Sequence, residues 1–498
     1  MIKKIFLSIA AAFYFTGISF AQDEVEALRF SRNTHLGTAR FSAMGGAFTA
    51  LGGDVSALAF NPAGIGVYRS NEFTLTGNLL YANTDVSYMG NKMNDYRYRF
   101  GLSNFAAVGV YELGQDEGLV SINYGFAYNK TRNFGERYSV LGSYQSANTY
   151  LDYFAAVANG EGLGDYEAKM AQDAYLIDTI GSSYGAISYD ETQGRQHVET
   201  TGGLSTYDFS IGGNVSNVFY FGLSIGIASV SYEENNTSLE HAQDGNVSDF
   251  QKFSYYRGYR QNGIGYNFKF GAIVWPFAHA DFLTGLKLGG AIHTRTFLSM
   301  SDEFTSYIDP WIGGRSYDRA THTPNEFFYE IETPTRLMAG LAYTFSPSTP
   351  GGWRGVISAD YEYVDYSTIT MREEKSDYPA DFNEPNASIK DRYRATNNFR
   401  LGGELGYQSW AFRLGYAYYD NPYTKNAGKN GIIKDGTINI YSGGLGLQVN
   451  EMFNLSFTYS LSAQKDKGYM YYYKNVTSDI KNYAVHQNNF FLTLGWRF

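Results

Sequence analysis

The chain has no cysteine in 498 residues. A disulfide scaffold, a thiolate metal site and a cysteine nucleophile are therefore excluded. After the first residues it also lacks any apolar run long enough for a transmembrane helix, and mean hydropathy is low, at −0.32. Basic residues are in deficit, with 39 Lys and Arg against 49 Asp and Glu, which argues against a broad nucleic-acid-binding face. The 7 histidines are scattered, with no metal-ligand spacing on one element, so neither a metal site nor a cofactor is expected. No Ser/His or Asp/His constellation assembles without choosing residues freely, so the chain does not read as an enzyme. Matches such as Gly444-x-Gly446 fall on strand-like stretches rather than on a strand-to-helix turn, so they are not phosphate loops. The acidic stretch Glu373 to Glu384 reads as a solvated loop rather than a Ca²⁺ site. What is abundant is aromatic: 45 Tyr and 36 Phe, with 55 Gly. Transmembrane β-barrels explain this combination. Only one face of each strand meets lipid, so hydropathy stays low, and Tyr and Phe collect in girdles at the two interfaces.

The first residues read as a signal peptide. Lys3 and Lys4 form a positive n-region, Ile5 to Phe20 an apolar stretch, and Ser19-Phe20-Ala21 a small-x-small cleavage site. A membrane anchor is the alternative, but the stretch is short and an acidic run from Asp23 to Glu26 follows at once. Cleavage after Ala21 leaves 37 basic against 49 acidic residues, a net charge of −12.

From Phe73 to Phe498 apolar residues alternate with small or polar ones. Phe219, Phe221, Leu223, Ile225 and Ile227 share one face, and Tyr220, Gly222, Ser224, Gly226 and Ala228 the other. A soluble sandwich also alternates, but it would need the second face apolar and packed. The pattern predicts an all-β, antiparallel transmembrane barrel of about 14 strands, within a range of about 12 to 16. Their expected spans are 71–82, 97–112, 119–131, 203–216, 218–232, 255–275, 282–299, 327–345, 353–369, 392–408, 411–420, 437–449, 453–464 and 486–498. Short connections (114–117, around Asn217, 276–280, 346–351, 409–410 and 450–452) alternate with long ones, as periplasmic turns alternate with extracellular loops. The longest loop is expected from about 133 to 201, with short helices at about Tyr150–Ala158 and Tyr166–Ile180. On the last strand Phe490, Leu492, Leu494, Trp496 and Phe498 share one face. A terminal aromatic in that setting looks like the signal read by the barrel-assembly machinery.

Residues 22–70 do not read as a membrane strand. Gly, Ala and Ser dominate, and small residues let backbone pack on backbone in a confined space. Pro62 disfavours helix at Asn61 and marks a sharp turn. A flexible periplasmic tail is the alternative, though it would expose Phe41, Met44, Phe48, Leu51 and Phe60 to water. Four motifs follow in close order: Gly37-x-Ala39-Arg40, Met44-Gly45-Gly46-Ala47-Phe48-x-Ala50, Asp54-x-Ser56-Ala57 and Asn61-Pro62-Ala63-Gly64. Together they resemble the plug of the FadL/TodX-type outer-membrane transporters of long-chain fatty acids and aromatic hydrocarbons. The close match covers about residues 34–66. The resemblance implies a 14-stranded barrel with an N-terminal hatch in its lumen, and passive movement of an apolar ligand with exit through the barrel wall into the bilayer. The division expected is 1–21 signal peptide, 22–70 plug and 71–498 barrel, in the outer membrane of a Gram-negative bacterium.

Charges fall in register with the lumen-facing rows. A tight turn at Pro276–Ala280 would bring Lys269 and Lys287 together on one face, where two ammonium groups favour an anion between them. A fatty carboxylate fits that site; alternatively Asp54 or another plug carboxylate pairs with them and locks the plug. His293, Arg336, Phe41, Met44 and Phe48 complete the candidate ligand contacts. Glu404 and Arg413 face each other across the Ser409-Trp410 turn as a structural pair. The expected partners are a hydrophobic ligand, outer-membrane lipid and, through Phe498, the assembly machinery. A haem receptor with His293 or His35 as axial ligand is one alternative. A barrel without transport function, serving in attachment or secretion through its long loop, is another.

Overall fold

A sheet with one apolar row and one polar row leaves unpaired backbone at its edges, and in a bilayer only closure satisfies those edges. This chain closes. In a computed structural model, residues 24–498 are described except for 35, 145–147, 165, 188–190, 244–249, 279, 281–282, 346–351, 375–380, 428–434 and 475. The segment expected to be a signal peptide and His35 thus lie outside the described residues. Fourteen antiparallel strands form the wall. They are β1 (Glu72–Tyr88), β2 (Asn91–Glu112), β3 (Leu119–Asn133, resuming at Glu136–Tyr144), β4 (Thr192–Val215) and β5 (Phe219–Ala242). Next come β6 (Phe250–Val274), β7 (Leu286–His293, resuming at Phe297–Ile312), β8 (Ala320–Glu332, resuming at Arg336–Phe345) and β9 (Arg354–Asp365). The circuit ends with β10 (Ala395–Tyr407), β11 (Trp410–Tyr419), β12 (Ile438–Gln448), β13 (Phe453–Gly468) and β14 (Lys481–Arg497). β1 pairs with β14 from Glu72↔Arg497 to Ser87↔Asn482, which closes the ring.

The outer row makes an apolar belt. At its loop-side edge stand ring pairs that bridge neighbouring strands: Tyr81–Tyr98, Tyr128–Tyr207 and Tyr266–Phe297, then Tyr361–Phe399, Tyr416–Tyr441 and Tyr459–Phe490. Their centroids lie 4.9 to 5.5 Å apart. At the turn-side edge Trp353 stacks on Tyr407, and Trp410, Trp496 and Phe498 point outward. Two aromatic girdles around an apolar band are the surface a bilayer requires.

Alternation located every strand but ended many of them too early on the loop side. β1 runs to Tyr88 rather than 82, β5 to Ala242 rather than 232, and β7 to Ile312 rather than 299. Beyond the girdle the outer row no longer meets lipid, so the strands continue with polar residues on both faces. The long loop shrinks for the same reason. Its first part is the resumed β3 and its last part is β4 from Thr192. Helix α3 (Tyr150–Glu161) begins at a Thr149–Asp152 capping box. Helix α4 (Tyr166–Asp173) stops short of the expected Ile180, and a hairpin of Ile177–Ile180 with Ser183–Ala186 follows. These pieces pack Leu151, Phe154, Met170 and Leu176 on Tyr255 and Tyr471 to form a cap with its own core.

The N-terminal segment enters the lumen. It starts as helix α1 (Glu24–Ser31) and continues through the short helix α2 (Ala39–Ala43), capped by the Thr38 side chain. Two 3-10 turns, Val55–Ala59 and Pro62–Val67, complete it. Between them the chain needs left-handed backbone at Gly45 (φ 61°) and Gly46 (φ 76°), which accounts for the paired glycines.

Candidate functional site

The plug locks to the wall by shape and by polar contacts. Phe41, Met44 and Phe48 are fully buried with Phe60 and Met338. They form the plug's own core, a correction to their reading as ligand contacts, because the rings close on one another (Phe41–Phe60 centroids 5.0 Å) rather than lining open space. Each such side chain is worth about 1.5–3 kcal/mol of burial. Around this core the wall presents glycine on strand after strand. A side chain at Gly222 would strike the Pro62 backbone, and one at Gly271 the Asn61 side chain. At Gly289 and Gly340 it would strike Thr49 and Ala50, at Gly402 and Gly415 Met44, and at Gly444 Ala43. This belt lets plug backbone lie directly on wall backbone.

The motif residues make the polar half of the lock. Asn61 donates to Thr49 O (2.6 Å) and Ala272 O (3.2 Å), and its Oδ1 accepts from Ala63 N (3.0 Å), just past Pro62. Arg40 binds Glu404 through two nitrogens (2.8 and 3.1 Å), and Glu404 also accepts from Arg413 (2.6 Å), so the expected wall pair is a triad that includes the plug. Asp54 accepts from the Thr38 hydroxyl (2.8 Å) and Ser56 N (2.9 Å), not from a lysine. Gly37 O accepts from Ser103. A buried network of Arg336, Glu362, Arg400 and Asp360 ends on Thr49, whose N–H and hydroxyl both reach Asp360 (2.9 and 2.7 Å).

The two lysines are not brought together. Lys269 lies opposite His293, six residues beyond Lys287 on β7. The connection is longer than a tight turn: it runs from Trp275 to Gly285 and is fastened by the Trp275 indole N–H to Thr284 O. That shifts the register and corrects the expected anion site. Lys269 is ion-paired with Asp208 of β4, and Lys287 sits over the Trp275 ring at 4.8 Å. The His293 Nε2 is 2.6 Å from Phe60 O and Arg336 donates to Ser31 O (2.6 Å), so both hold the plug. Among the described residues no group of three or more His, Asp or Glu forms a metal cluster.

On the loop side of the plug the lumen holds a cavity of about 250 Å³. Its floor is the first helix with Leu28 and Arg29, then Arg32; its sides include Phe134, Tyr138, Tyr232 and Tyr483. Arg132 donates to Arg29 O (3.3 Å) and Arg32 O (3.2 Å), Arg32 donates to Asp420 O (3.3 Å), and Arg29 lies over the Tyr232 ring at 4.1 Å. Among the described residues neither Arg32 nor Arg132 forms a salt bridge, and Glu136, which lines the same cavity, is a carboxylate whose charge acts on Arg132. Glu234 and Asp466 line the cavity too. No sequence pattern singled these arginines out, because they come from the plug and from the point where β3 breaks period.

That break opens the wall. The ladder between β2 and β3 runs from Glu112↔Ser121 only to Asn104↔Asn129. Beyond it β2 keeps its pairs with β1, while β3, after Phe134-Gly135, stays paired with β4 alone. The resumed strand turns inward behind β1: Gly135 comes up against Leu80, Glu136 receives Gln487 of β14, and Tyr138 stacks on Tyr483 at 6.1 Å. Arg97 and Arg99 reach across the gap to Thr200 O and Gly202 O of β4 (2.9 Å each). The gap closes again at the rim, where Asn91 donates to Leu141 O and the Tyr88 and Tyr144 hydroxyls meet. Arg132, Asn133 and Phe134 border both gap and cavity.

The fold so defined is a closed fourteen-stranded barrel with an internal plug. It is the fold of the FadL/TodX-type transporters. The chain is similar in structure to a Pseudomonas aeruginosa FadL homologue, at 13% identity and a TM-score of 0.56, over 94% of this chain and 100% of that one. It is likewise similar to the toluene transporter TodX of P. putida, at 14% identity and a TM-score of 0.53, over 93% of this chain and 98% of that one. No family model matches the sequence, and no curated protein matches it.

Proposed function

We propose that this chain is an outer-membrane channel for passive uptake of apolar small molecules, which cross the lumen above the plug and leave sideways through the gap between β2 and β3. One observation carries this reading: the axial route is filled by a plug seated on wall glycines, while the ladder between β2 and β3 stops at belt level beside the lumenal cavity. Short turns then face the periplasm and the cap faces outward. The described neighbours, a toluene transporter and a FadL homologue, agree with an apolar cargo.

Fatty acid is the cargo we favour within that class. A guanidinium without a salt bridge in a half-dry cavity is costly, and a fatty carboxylate that binds Arg32 and Arg132 directly offsets that cost. Phe134, Tyr138 and Tyr232 offer the alkyl chain an apolar wall. Haem is the weaker alternative, since the His293 Nε2 is engaged with Phe60 O. The test uses the full chain in lipid vesicles with a fluorescent fatty acid outside. Gly135→Trp fills the gap without touching the plug, and uptake is expected to fall to that of protein-free vesicles. Unchanged uptake sinks the lateral route. Arg32→Gln with Arg132→Gln is expected to weaken oleate binding by about tenfold or more, the scale of a charge-assisted hydrogen bond, and to leave toluene binding alone. Equal loss of both ligands would remove the carboxylate assignment.

The folded cap supports a second reading, in which this face docks another envelope protein. A complex that survives loss of residues 36–68 but not of 145–191 would favour it.

A further inference from the structure

The lip of the gap has a chemistry of its own, separate from the cavity behind it. Lys130 follows Tyr128 on the outward row of β3, one step above the girdle where Tyr128 packs on Tyr207. Across the gap Arg99 stands opposite Leu80 of β1 and spends one N–H on Gly202 O. The Lys130 side chain lies against Gly203, next along β4 from the Gly202 that Arg99 reaches, so the two cations converge on one stretch of β4. The other cations at the lip are paired. Arg97 and Arg137 share Glu199 (2.7 and 2.8 Å), and Asp95 lies further out along the row of Arg97. Among the described residues Lys130 has no acceptor and Arg99 no carboxylate.

Two neighbouring cations without a counter-charge are unstable at the edge of hydrocarbon. Their level decides what neutralises them. Just below on β2 the outer row is lipid-facing, with Phe100 79% exposed and Leu102 42% exposed; just above stands the Tyr81–Tyr98 pair. That is the height at which a bilayer places its head groups. A guanidinium with free N–H groups beside an ammonium matches a phosphate, which accepts from both. The exposed Phe100 and Leu102 then lie where the acyl chains begin.

We propose that Arg99 and Lys130 form a docking site for the phosphate head group of an anionic membrane lipid. The assignment rests on the transmembrane setting of the barrel and not on what passes through the gap, so vesicle uptake and lipid binding can fail separately. The experiment is native mass spectrometry of the full chain in a neutral maltoside detergent. It is titrated with dioctanoyl phosphatidic acid, dioctanoyl phosphatidylcholine, inorganic phosphate and octanoate. One phosphatidic acid adduct is expected. Its dissociation constant should rise about tenfold or more in the Arg99→Gln, Lys130→Gln double variant and recover in Arg99→Lys, Lys130→Arg. If the double variant does not fold, as judged by heat-modifiable gel mobility, Lys130→Gln alone serves, since that side chain has no protein partner to lose. Binding unchanged in the variant overturns the proposal, and so does equal affinity for phosphatidylcholine. Displacement by inorganic phosphate at matched concentration reduces the site to one for the free ion. If octanoate is the ligand whose binding the variant loses, the lip serves cargo rather than lipid.

Discussion

The turn-side half of the barrel and its loop-side half solve opposite problems with the same strands. Below, wall glycines and plug backbone interlock, and the ion pairs Lys269–Asp208 and Arg336–Glu362 are saturated and buried. Above, the wall loses a ladder between β2 and β3, Arg32 and Arg132 rest on carbonyls, and a cap with a separate core covers the mouth. The lower half is built to stay shut and the upper half to exchange contents. Position along the barrel axis therefore says more about a residue's role than its chemistry does: Arg336 below is an anchor and Arg132 above is a candidate ligand contact.

The largest effect should come from removing the plug. Deleting residues 36–68 leaves a fourteen-stranded wall around an unfilled lumen, and planar-bilayer recordings should change from closed to steadily conducting. A deletion variant that stays closed would mean that the cap seals the channel. Next come the buried charges. Arg400→Met leaves Asp360 without a cation and Glu362 with Arg336 alone, and Lys269→Ala strands Asp208, all with side chains buried. Each is expected to cost about 3–5 kcal/mol, read as a lowered midpoint in heat-modifiable mobility. A change below one-fifth of that would mean that water already reaches the network.

Glycine-belt substitutions should follow. Gly271→Leu drives a side chain into Asn61 and is expected to cost about 1–3 kcal/mol, with deuterium exchange rising in residues 36–68 rather than in the cap. Glu167→Ala should give the mirror image. It removes the acceptor of the Tyr153 and Tyr255 hydroxyls (2.5 Å each) that ties α4 to α3 and β6. At about 1–3 kcal/mol, it should raise exchange in α3 and α4 and spare the plug. If either variant loosens both halves together, the two are one cooperative unit.

How far the sequence discloses this division depends on the kind of signal. Strands read well because lipid imposes an apolar row, so Phe219 to Ile227 or Phe490 to Phe498 are visible one by one. The loop-side extensions read poorly because Thr192 to Gly202 meet water on the outside and carry no such row. Met44-Gly45-Gly46 and Asn61-Pro62-Ala63 announce a plug because left-handed backbone and a side-chain cap demand particular residues. The belt that receives it is in the sequence too, as glycines on the inner rows of several strands, but each means little until the strands are set side by side. Arg32, Arg99, Lys130 and Arg132 were not legible at all. Their meeting depends on β3 leaving the wall, and a pairing lost between two strands leaves no periodic trace.

The smallest expected effect sharpens the comparison most. A tight turn would put Lys287 beside Lys269, but the longer Trp275–Gly285 connection puts it at the turn-side end of β7, over the Trp275 ring. It belongs to the lower half, where charges hold structure. Lys287→Ala should therefore forfeit only a cation–π contact of about 0.5–2 kcal/mol and leave oleate binding unchanged, while the Arg32 and Arg132 substitutions reduce it. A titration in which Lys287→Ala weakens oleate as much as they do would put ligand in the lower half. The division drawn here between a sealed base and an exchanging top would then give way to a single binding path along the whole lumen.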